Sequence, residues 1–432
     1  MKNEIRDIFA GTYMKLCKCL PMDRKKIVFK SFRGIECGDN PRAIFDALYA
    51  KRPDLHYVWV VANDAAATSL QDAEQGAGDE KAVSDKKTSG NKKTDSSKKT
   101  DGRIKIVRHG SLAEIKELAT AKIWVDNKRK GCWTSKRKGQ FYLQTWHGGI
   151  ALKKIEKDAE DKLPAYYIKS AKRDSKLADA FVSGSGWQTK NYRDAFWYEG
   201  EMWEIGLPRN DLYFRQMEQT ASFEKNDSDS AALNKKPETV REKVWKAFNL
   251  SENDSVILYA PTFREDYSMD AYDLDCERLI RACRKRFGGT WKVIMKLHPN
   301  VADREDYFRY SDVILKGSHY GKMNELIAAC DLLITDYSSC MFDSAEGGKR
   351  VFLYASDRSA YLADRGFYFS FEELPFTLAQ TNEELEKNIE LFNEDDYAAK
   401  TEAFFKSLKI YDNAHAADTA AGRLLQIMGS AE

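Results

Sequence analysis

The sequence DLLITDYSSCMFDSA, residues 331–345, decides the fold class that we predict for this chain. Asp331 to Thr335 is a short apolar run of the kind that is buried in a parallel sheet. Ser338 and Ser339 follow where a helix would begin, because hydroxyl residues are preferred N-caps. The N-terminus of such a helix favours an anion such as phosphate, through its free N–H groups and its dipole. An ordinary capped helix packed on a sheet is the alternative.

The same alternation of strand and helix recurs on both sides of this stretch. A strand at 26–31, a helix at 39–48 and a strand at 56–62 open the chain as a β-α-β unit. Further strands are predicted at 104–108, 122–126, 140–145, 178–183, 256–261, 291–298, 313–315, 331–335 and 350–354. We therefore predict an α/β protein with two β/α domains in sequence and a cleft between their sheets.

The predicted domains cover residues 26–207 and 208–394, and a terminal helix in 395–432 crosses back onto the first domain. A low-complexity excursion at 63–103 interrupts the first domain, since Lys-Lys-Thr recurs three times within it. A second polar insertion is predicted at 217–238.

Composition excludes several classes of protein. The 432 residues are 43% hydrophobic and carry a formal net charge of only +2, so the chain is globular and nucleic acid is not a predicted partner. Eight scattered cysteines indicate a reducing, cytosolic compartment. No apolar run of about eighteen residues occurs, and the first residues are not predicted to be a signal peptide. No acidic cluster suggests a metal, and no cofactor is predicted.

Residues 1–25 combine apolar positions at roughly helical spacing with a basic polar face. Such a segment can lie on an anionic membrane surface. A helix packed on the protein's own domain is the equal alternative.

A histidine follows a predicted strand in Trp146-His147-Gly148-Gly149. The two glycines permit close backbone approach or a positive φ. Held at a strand end, His147 can act as a general base near neutral pH, and a structural histidine in a turn is the alternative.

Other polar side chains fall at the carboxyl ends of predicted strands, where α/β sheets place ligands. Lys296 and His298 are predicted to share one face of a strand and to grip a phosphate, unless the pairing is chance. Arg209 lies just past a strand, and its planar fork suits phosphate. Pro261-Thr262-Phe263-Arg264 offers a hydroxyl and a guanidinium. Asp343, one helical turn beyond the paired serines, can accept hydrogen bonds from a polyol or be a surface acid.

With these residues the chain resembles the CDP-glycerol glycerophosphotransferase family, the teichoic-acid polymerases and primases of Gram-positive bacteria. The matching blocks are SFRGIECGDNPRAIF (31–45), QTWHGGIALKKI (144–155), GLPRND (206–211), YAPTFRED (259–266), KLHPNV (296–301), ITDYSSCMFDSAEGGKRVFLY (334–354) and RGFYFSFEELP (365–375). The resemblance implies a GT-B fold, in which two Rossmann-like domains face a central cleft. It also implies a peripheral enzyme at the cytoplasmic face of the membrane. Such enzymes move glycerol phosphate from CDP-glycerol to a hydroxyl of a lipid-linked polyol-phosphate or glycan acceptor and release CMP.

The resemblance also implies residue roles. His147 would deprotonate the acceptor hydroxyl, and His298, the second catalytic residue, would offset charge on the leaving CMP with Lys296 and Arg209. The remaining predicted contacts, all to the donor, are Trp146, Gly148, Gly149, Ile150, Pro261, Thr262, Leu297, Ser338, Ser339 and Asp343. The family commonly has Thr-Pro where this chain has Gly149-Ile150, a departure that loosens the loop.

Three other functions remain open on the sequence. The donor can be CDP-ribitol instead of CDP-glycerol. The same fold can carry a nucleotide-sugar glycosyltransferase. A non-catalytic, membrane-associated scaffold of the same fold is the third possibility.

Overall fold

The computed structural model describes residues 2–68, 70, 104–225, 238–264, 269, 271–358 and 366–429. Most of the predicted excursion at 63–103 lies outside the described residues, although residues 64–68 are helical. The predicted polar insertion at 217–238 also lies partly outside them. Its first part differs from the prediction, because the helix Asp211–Lys225 continues through residue 225.

The first sheet contains seven strands, all paired in parallel, in the order β3-β2-β1-β4-β5-β6-β7. Its strands are β1 (Asp23–Lys30), β2 (His56–Val61), β3 (Ile104–Arg108), β4 (Ala121–Asp126), β5 (Phe141–Gln144), β6 (Ala180–Ser183) and β7 (Glu201–Glu204). Val28 of β1 pairs with Val58 on one side and Trp124 on the other, and all three are buried. Near-continuous apolar runs of this kind fit a sheet that is covered on both faces.

The second sheet contains six parallel strands in the order β10-β9-β8-β11-β12-β13. Its strands are β8 (Asp254–Tyr259), β9 (Thr290–Met295), β10 (Ile314–Lys316), β11 (Leu332–Thr335), β12 (Arg350–Tyr354) and β13 (Thr377–Ala379). The stretch quoted at the outset supplies β11, whose Leu333 pairs with Leu258 in the centre of this sheet. The last strand, β13, was not predicted, because three residues carry too little pattern.

The helices with defined bounds cover the two sheets. They are α1 (Lys2–Cys17), α2 (Asp39–Lys51), α3 (Leu112–Thr120), α4 (Ala165–Leu177), α5 (Gly186–Ala195), α6 (Asp211–Lys225), α7 (Val240–Ala247), α8 (Cys276–Phe287), α9 (Met323–Ala329), α10 (Cys340–Glu346), α11 (Asn382–Glu390), α12 (Glu394–Leu408) and α13 (Ala416–Gly429).

The strand order reverses direction at one place in each sheet. In the first sheet β1 lies between β2 and β4, and in the second sheet β8 lies between β9 and β11. Doubly wound sheets bind ligands outside the carboxyl ends of the strands at such switch points. The loops that follow β1 and β4, and those that follow β8 and β11, are therefore the places to look for a site.

The end of the chain is two helices, where the sequence predicted one in 395–432. The helix α12 ends at Leu408, and Lys409 adopts a left-handed φ of 55°. Phe404 of α12 stacks on Phe342 of the second sheet's core, with ring centroids 5.9 Å apart. The helix α13 lies instead against α2, and its Leu424 is buried in the core of the first sheet.

The helix α1 has one buried and one exposed face. Ala10, Met14 and Cys17 are buried in a core cluster of the first sheet. Ile5, Ile8, Phe9 and Leu16 are each more than 60% exposed. Among the described residues, no helix has the length and apolar character needed to cross a membrane.

Candidate active site

A cavity of about 670 Å³ lies between the two sheets, and we call it the cleft. Its walls come from the loops after β1, β4 and β5 on one side and after β8, β9 and β11 on the other. The polar and aromatic residues of the first wall include Phe32, Arg33, Glu36, Lys128, Trp146 and His147. The second wall includes Pro261, Thr262, Lys296, Leu297, His298 and Ser338. Both switch points thus open onto one space large enough for a nucleotide.

His147 is held in one tautomer on the first wall. Its Nδ1 lies 3.0 Å from the carbonyl oxygen of Asn127, which can only accept, so Nδ1 carries the proton. The other nitrogen, Nε2, lies 2.9 Å from Lys128 Nζ and accepts its hydrogen bond. Burial, and then the charge of Lys128, hold the pKa of His147 well below its usual value. At neutral pH the ring is therefore uncharged, with the lone pair of a base on Nε2.

Lys128 is a half-buried cation. Among the described residues, no carboxylate lies within ion-pair distance of its Nζ, which contacts Nε2 of His147 and lies 5.7 Å from the ring centroid of Phe32. Burial, followed by repulsion from Arg33, lowers the pKa of Lys128 to about 8. An anion bound in the cleft would supply the missing countercharge.

A left-handed turn follows β1 and presents Phe32 and Arg33 to the cleft. Phe32, Arg33 and Gly34 have φ values of 45°, 58° and 84°. Such values cost energy for residues with a Cβ. Hydrogen bonds offset this cost, since the Phe32 N–H donates to Asn127 Oδ1 at 2.7 Å and the Ala62 N–H donates to the Gly34 carbonyl at 2.6 Å. Asn127 therefore fixes both this turn and the ring of His147.

On the second wall, Asp336 fixes the loop after β8. The N–H of Thr262 donates to Asp336 Oδ1 at 2.8 Å, and its hydroxyl donates to Oδ2 at 3.0 Å. Arg264 carries the guanidinium that the sequence analysis considered for ligand binding. It is buried and pairs with Asp336 and Asp357. Its role here is to hold the loop that carries Pro261 and Thr262.

Lys296 and His298 lie in a loop, because β9 ends at Met295, so the predicted shared strand face is not present. The Nζ of Lys296 donates to the carbonyls of Ser318 and Tyr320 at 3.0 and 2.9 Å. An ammonium group has three N–H bonds, so one remains for a ligand. Burial is the main cause of the lowered pKa of Lys296.

His298 precedes the 3₁₀ helix Pro299–Tyr307, and its Nδ1 accepts from the Asn300 N–H at 3.2 Å. That bond assigns the proton of the neutral ring to Nε2, which can donate to a phosphate oxygen. Burial, then the charges of Lys153 and Lys128, lower the pKa of His298. Lys128 and His298 line the same cavity from opposite walls.

The paired serines differ from each other. The Ser338 hydroxyl accepts from the Cys340 N–H at 3.4 Å and lies in the cleft wall. Ser339 occupies the N-cap position of α10 but forms no capping hydrogen bond through its side chain, and it does not line the cleft.

Arg209 and Asp343 are placed together, away from the cleft wall. The Nη2 of Arg209 lies 2.8 and 3.1 Å from the two carboxylate oxygens of Asp343, so this carboxylate is occupied by a guanidinium. Burial alone would lower the pKa of Arg209. The carboxylates of Asp343 and Asp39 outweigh burial, so the pKa of Arg209 is raised. The sequence predicted that Asp343 contacts a polyol and that Arg209 contacts phosphate. In the structure these two side chains bind each other.

The loop around His147 shows one of the two alternatives that its glycines left open, which is close approach at Gly149 and not a positive φ. Trp146 takes the left-handed conformation, with a φ of 53°, and neither Gly148 nor Gly149 has a positive φ. A Cβ on Gly149 would lie 2.8 Å from Leu207, so close packing explains that glycine. Ile150 is buried in the core of the second sheet. Of these four residues, only Trp146 lines the cleft.

Several residues of the candidate site received no role from the sequence. They are Phe32, Arg33, Glu36, Asn127, Lys128 and Tyr167. The first three lie directly after β1, and the next two directly after β4, so the switch-point rule was the signal that could have found them. Glu36 stands out because burial and then Asp39 raise its pKa to about 7.

Comparison with known proteins identifies the family. The model of the family described as CDP-Glycerol:Poly(glycerophosphate) glycerophosphotransferase matches residues 12–426. The chain belongs to this family. The family predicted from the sequence is thereby confirmed.

Curated relatives in this glycerophosphotransferase family act in teichoic acid synthesis. The chain is 29% identical over 406 residues to the teichoic acid poly(glycerol phosphate) polymerase of Bacillus subtilis (strain 168), covering 92% of this chain and 48% of the relative. It is 27% identical over 388 residues to the teichoic acid glycerol-phosphate transferase of Staphylococcus aureus (strain NCTC 8325 / PS 47), covering 87% and 86%. The chain thus spans about half of the first relative and most of the second.

The solved structures support the fold class. A structure of the wall teichoic acid polymerase TagF matches with a TM-score of 0.74 at 23% identity, covering 99% of this chain and 97% of that one. Another TagF structure, of a variant soaked with CDPG, matches with a TM-score of 0.73. The predicted GT-B fold of two parallel sheets around a cleft is confirmed.

Proposed function

We propose that this glycerophosphotransferase family member transfers glycerol phosphate from CDP-glycerol to a hydroxyl of a lipid-linked acceptor and releases CMP. The step would belong to the synthesis of a teichoic-acid-like polymer at a membrane surface. One observation carries the proposal. A neutral imidazole on His147, whose Nε2 lone pair accepts a hydrogen bond from Lys128, shares a single cavity with the cationic and hydroxyl groups of the opposite wall.

The geometry supports a direct transfer. The acceptor hydroxyl replaces Lys128 Nζ as the hydrogen-bond donor to His147 Nε2. His147 Nε2 then takes the proton of this hydroxyl, and the oxygen attacks the phosphorus that carries glycerol. The bond from that phosphorus to the CMP oxygen breaks, and CMP leaves with the bonding electrons. Such transfers depend on positioning and charge neutralisation, because little covalent chemistry is asked of the protein.

The second wall supplies groups for the donor. Lys296 offers its remaining N–H bond and its charge, and His298 offers Nε2–H. Ser338 adds a hydroxyl beside the start of α10. Charge-assisted hydrogen bonds of this kind are among the stronger ones in proteins, and they would stabilise the phosphates of the donor and of departing CMP.

Donor-dependent CMP release tests the proposal. The purified protein is given a lipid-linked glycerol phosphate acceptor with CDP-glycerol, CDP-ribitol or a UDP-sugar in separate reactions. We expect CMP only with CDP-glycerol, and a lipid product heavier by one or more glycerol phosphate units. Efficient use of CDP-ribitol would show that CDP-ribitol is a donor, whereas UDP release would indicate a glycosyltransferase. No turnover of any donor would favour the non-catalytic scaffold.

The exposed face of α1 supports a membrane location for this reaction. Ile5, Ile8, Phe9 and Leu16 are exposed beside the exposed cations Arg6 and Lys15. Apolar side chains with flanking positive charges suit the interface of an anionic bilayer.

A further inference from the structure

A second cavity, of about 450 Å³, lies beneath α1 on the side of the first sheet. It adjoins the cleft, because Arg33, Arg129 and Tyr167 line both spaces. Arg6 and Ala10 of α1 form its far wall. A path therefore runs from the base position of His147, past Arg33, to the helix whose apolar face is exposed.

Most cations around this path are already neutralised. Lys30 lies 3.0 Å from Glu114 and 3.5 Å from Asp126, which also pairs with Lys130 at 2.7 Å. Arg129 is likewise paired, at 3.0 Å from Glu156 and 3.2 Å from Asp174. These buried groups form a closed network that has no charge left for a ligand.

Arg33 and Lys128 differ from the paired cations. Within the part of the chain that the structure describes, Arg33 makes no hydrogen bond or ion pair, and Lys128 has no carboxylate partner. Both side chains line the cleft, where Lys128 Nζ lies 2.9 Å from His147 Nε2. Lys128 is half-buried and Arg33 is exposed, and an anion bound between these two cations would offset their mutual repulsion.

The backbone geometry at Arg33 also supports an anion site beside this residue. Arg33 sits at a φ of 58° in the turn after β1, and that turn is fixed by Asn127 through Phe32. An arginine does not stabilise a left-handed backbone position, since glycine would adopt it with less strain. Strain that the surrounding hydrogen bonds maintain is typical of residues placed for a ligand.

We propose that Arg33 and Lys128 form a phosphate subsite for the acceptor, and that the acceptor chain enters through the cavity beneath α1. This inference rests on the proposed function, because it assigns the second substrate of that reaction. A polyol phosphate chain would place its terminal hydroxyl at His147 Nε2 and its nearest phosphate between Arg33 and Lys128. Its lipid end would then lie near the exposed face of α1.

The test uses the full chain and two acceptors, a water-soluble glycerol phosphate trimer, which carries phosphates, and free glycerol, which carries none. Arg33→Asn removes the guanidinium, and asparagine tolerates the left-handed backbone. Arg33→Lys restores a charge without the planar fork. The exposed Arg281 on α8, replaced by Asn, controls for loss of a surface charge. Circular dichroism verifies that each variant is folded.

We expect Arg33→Asn to raise the KM for the trimer about tenfold, as for loss of one charged hydrogen bond. The KM values for CDP-glycerol and for free glycerol should stay the same, Arg33→Lys should recover part of the loss, and Arg281→Asn should behave as wild type. A wild-type KM for the trimer in Arg33→Asn would overturn the subsite. An equal rise in the KM for CDP-glycerol would overturn it too, since Arg33 would then serve the donor.

Calorimetric binding of the trimer separates this inference from the proposed function. Trimer binding that weakens in Arg33→Asn, in a protein that releases no CMP, would refute the proposed reaction and keep the anion subsite. CMP release from CDP-glycerol, together with trimer binding that does not change in Arg33→Asn, would support the proposed reaction and refute the anion subsite.

Discussion

Arg209 donates two hydrogen bonds, at 2.8 and 3.1 Å, to the carboxylate of Asp343 and so joins the loop after β7 to helix α10 of the second sheet. Its other terminal nitrogen, Nη1, donates to Asp39 at 3.1 Å and to the backbone carbonyl of His147 at 3.0 Å. One buried guanidinium therefore connects the two halves of the protein to the backbone of the candidate base.

Replacing Arg209 by Met should destabilise the protein. The carboxylates of Asp343 and Asp39 would remain buried without a partner, and breaking a buried pair in this way costs about 3–5 kcal/mol. Urea unfolding measures the change. The exposed pair of Arg52 and Asp54 gives a matched control, because Arg52→Met should cost less than about 1 kcal/mol. Equal effects of the two substitutions would contradict the role of Arg209.

Donor binding should raise the pKa of His147. Burial and the charges of Lys128, Arg209 and Arg129 lower this pKa in the free protein. The phosphates of CDP-glycerol would offset those positive charges, which favours the protonated ring. Histidine NMR titrations with and without CDP-glycerol measure the shift, and His56, at the opposite end of the first sheet, is the control. An unchanged or lowered pKa of His147 at saturating donor would be inconsistent with phosphates in the cleft.

The pH dependence of acceptor use should follow Lys128. Its pKa is lowered to about 8, so the ammonium group is charged below that pH and loses its proton as the pH rises through it. The charged groups around it are Arg33, Asp39, Asp126 and Glu156, and the uncharged ring of His147 contacts it. We expect kcat/KM for an anionic acceptor to fall above about pH 8.

Lys128→Arg tests the assignment, because a guanidinium stays charged in this range. The alkaline fall should disappear in this variant and persist in Lys400→Arg, a change at an exposed surface lysine. Persistence of the fall in Lys128→Arg would mean that another group controls it.

The exposed face of α1 should govern binding to anionic vesicles. Deleting the helix would also remove Ala10, Met14 and Cys17 from the core, so single substitutions are the better test. Ile8→Ser and Phe9→Ser should each weaken binding about tenfold, as expected for side chains that become buried in the bilayer. Leu391→Ser, at a residue that is 70% exposed elsewhere, should have no effect. Unchanged flotation of both α1 variants would leave α1 as a helix that only packs on its own domain.

The sequence predicted the parts of this fold that depend on local pattern. The apolar runs that became β1, β2, β8 and β11 were found because parallel strands buried on both faces have continuous hydrophobic stretches. The polar residues directly after β5 and β8 were found in the same way, since a strand end at a switch point can be read from the chain.

Pairings between distant segments could not be predicted. Arg209 and Asp343 each suit a ligand by residue type, and only the folded chain shows that they bind each other. The contact of Lys128 with His147 joins residues 19 positions apart, through the loops after β4 and β5. The two glycines after His147 left close approach or a positive φ open, and only the folded chain shows that the positive φ lies at Trp146.

The most direct test of the account compares His147→Ala with wild type for two quantities in the same preparation: CDP-glycerol binding by calorimetry, and the rate of CMP release with acceptor present. The account predicts that binding is retained, because the donor groups lie on the opposite wall, and that the rate falls by roughly 10²–10⁴, as for loss of a general base. A wild-type rate of CMP release in a variant that binds CDP-glycerol normally would contradict it.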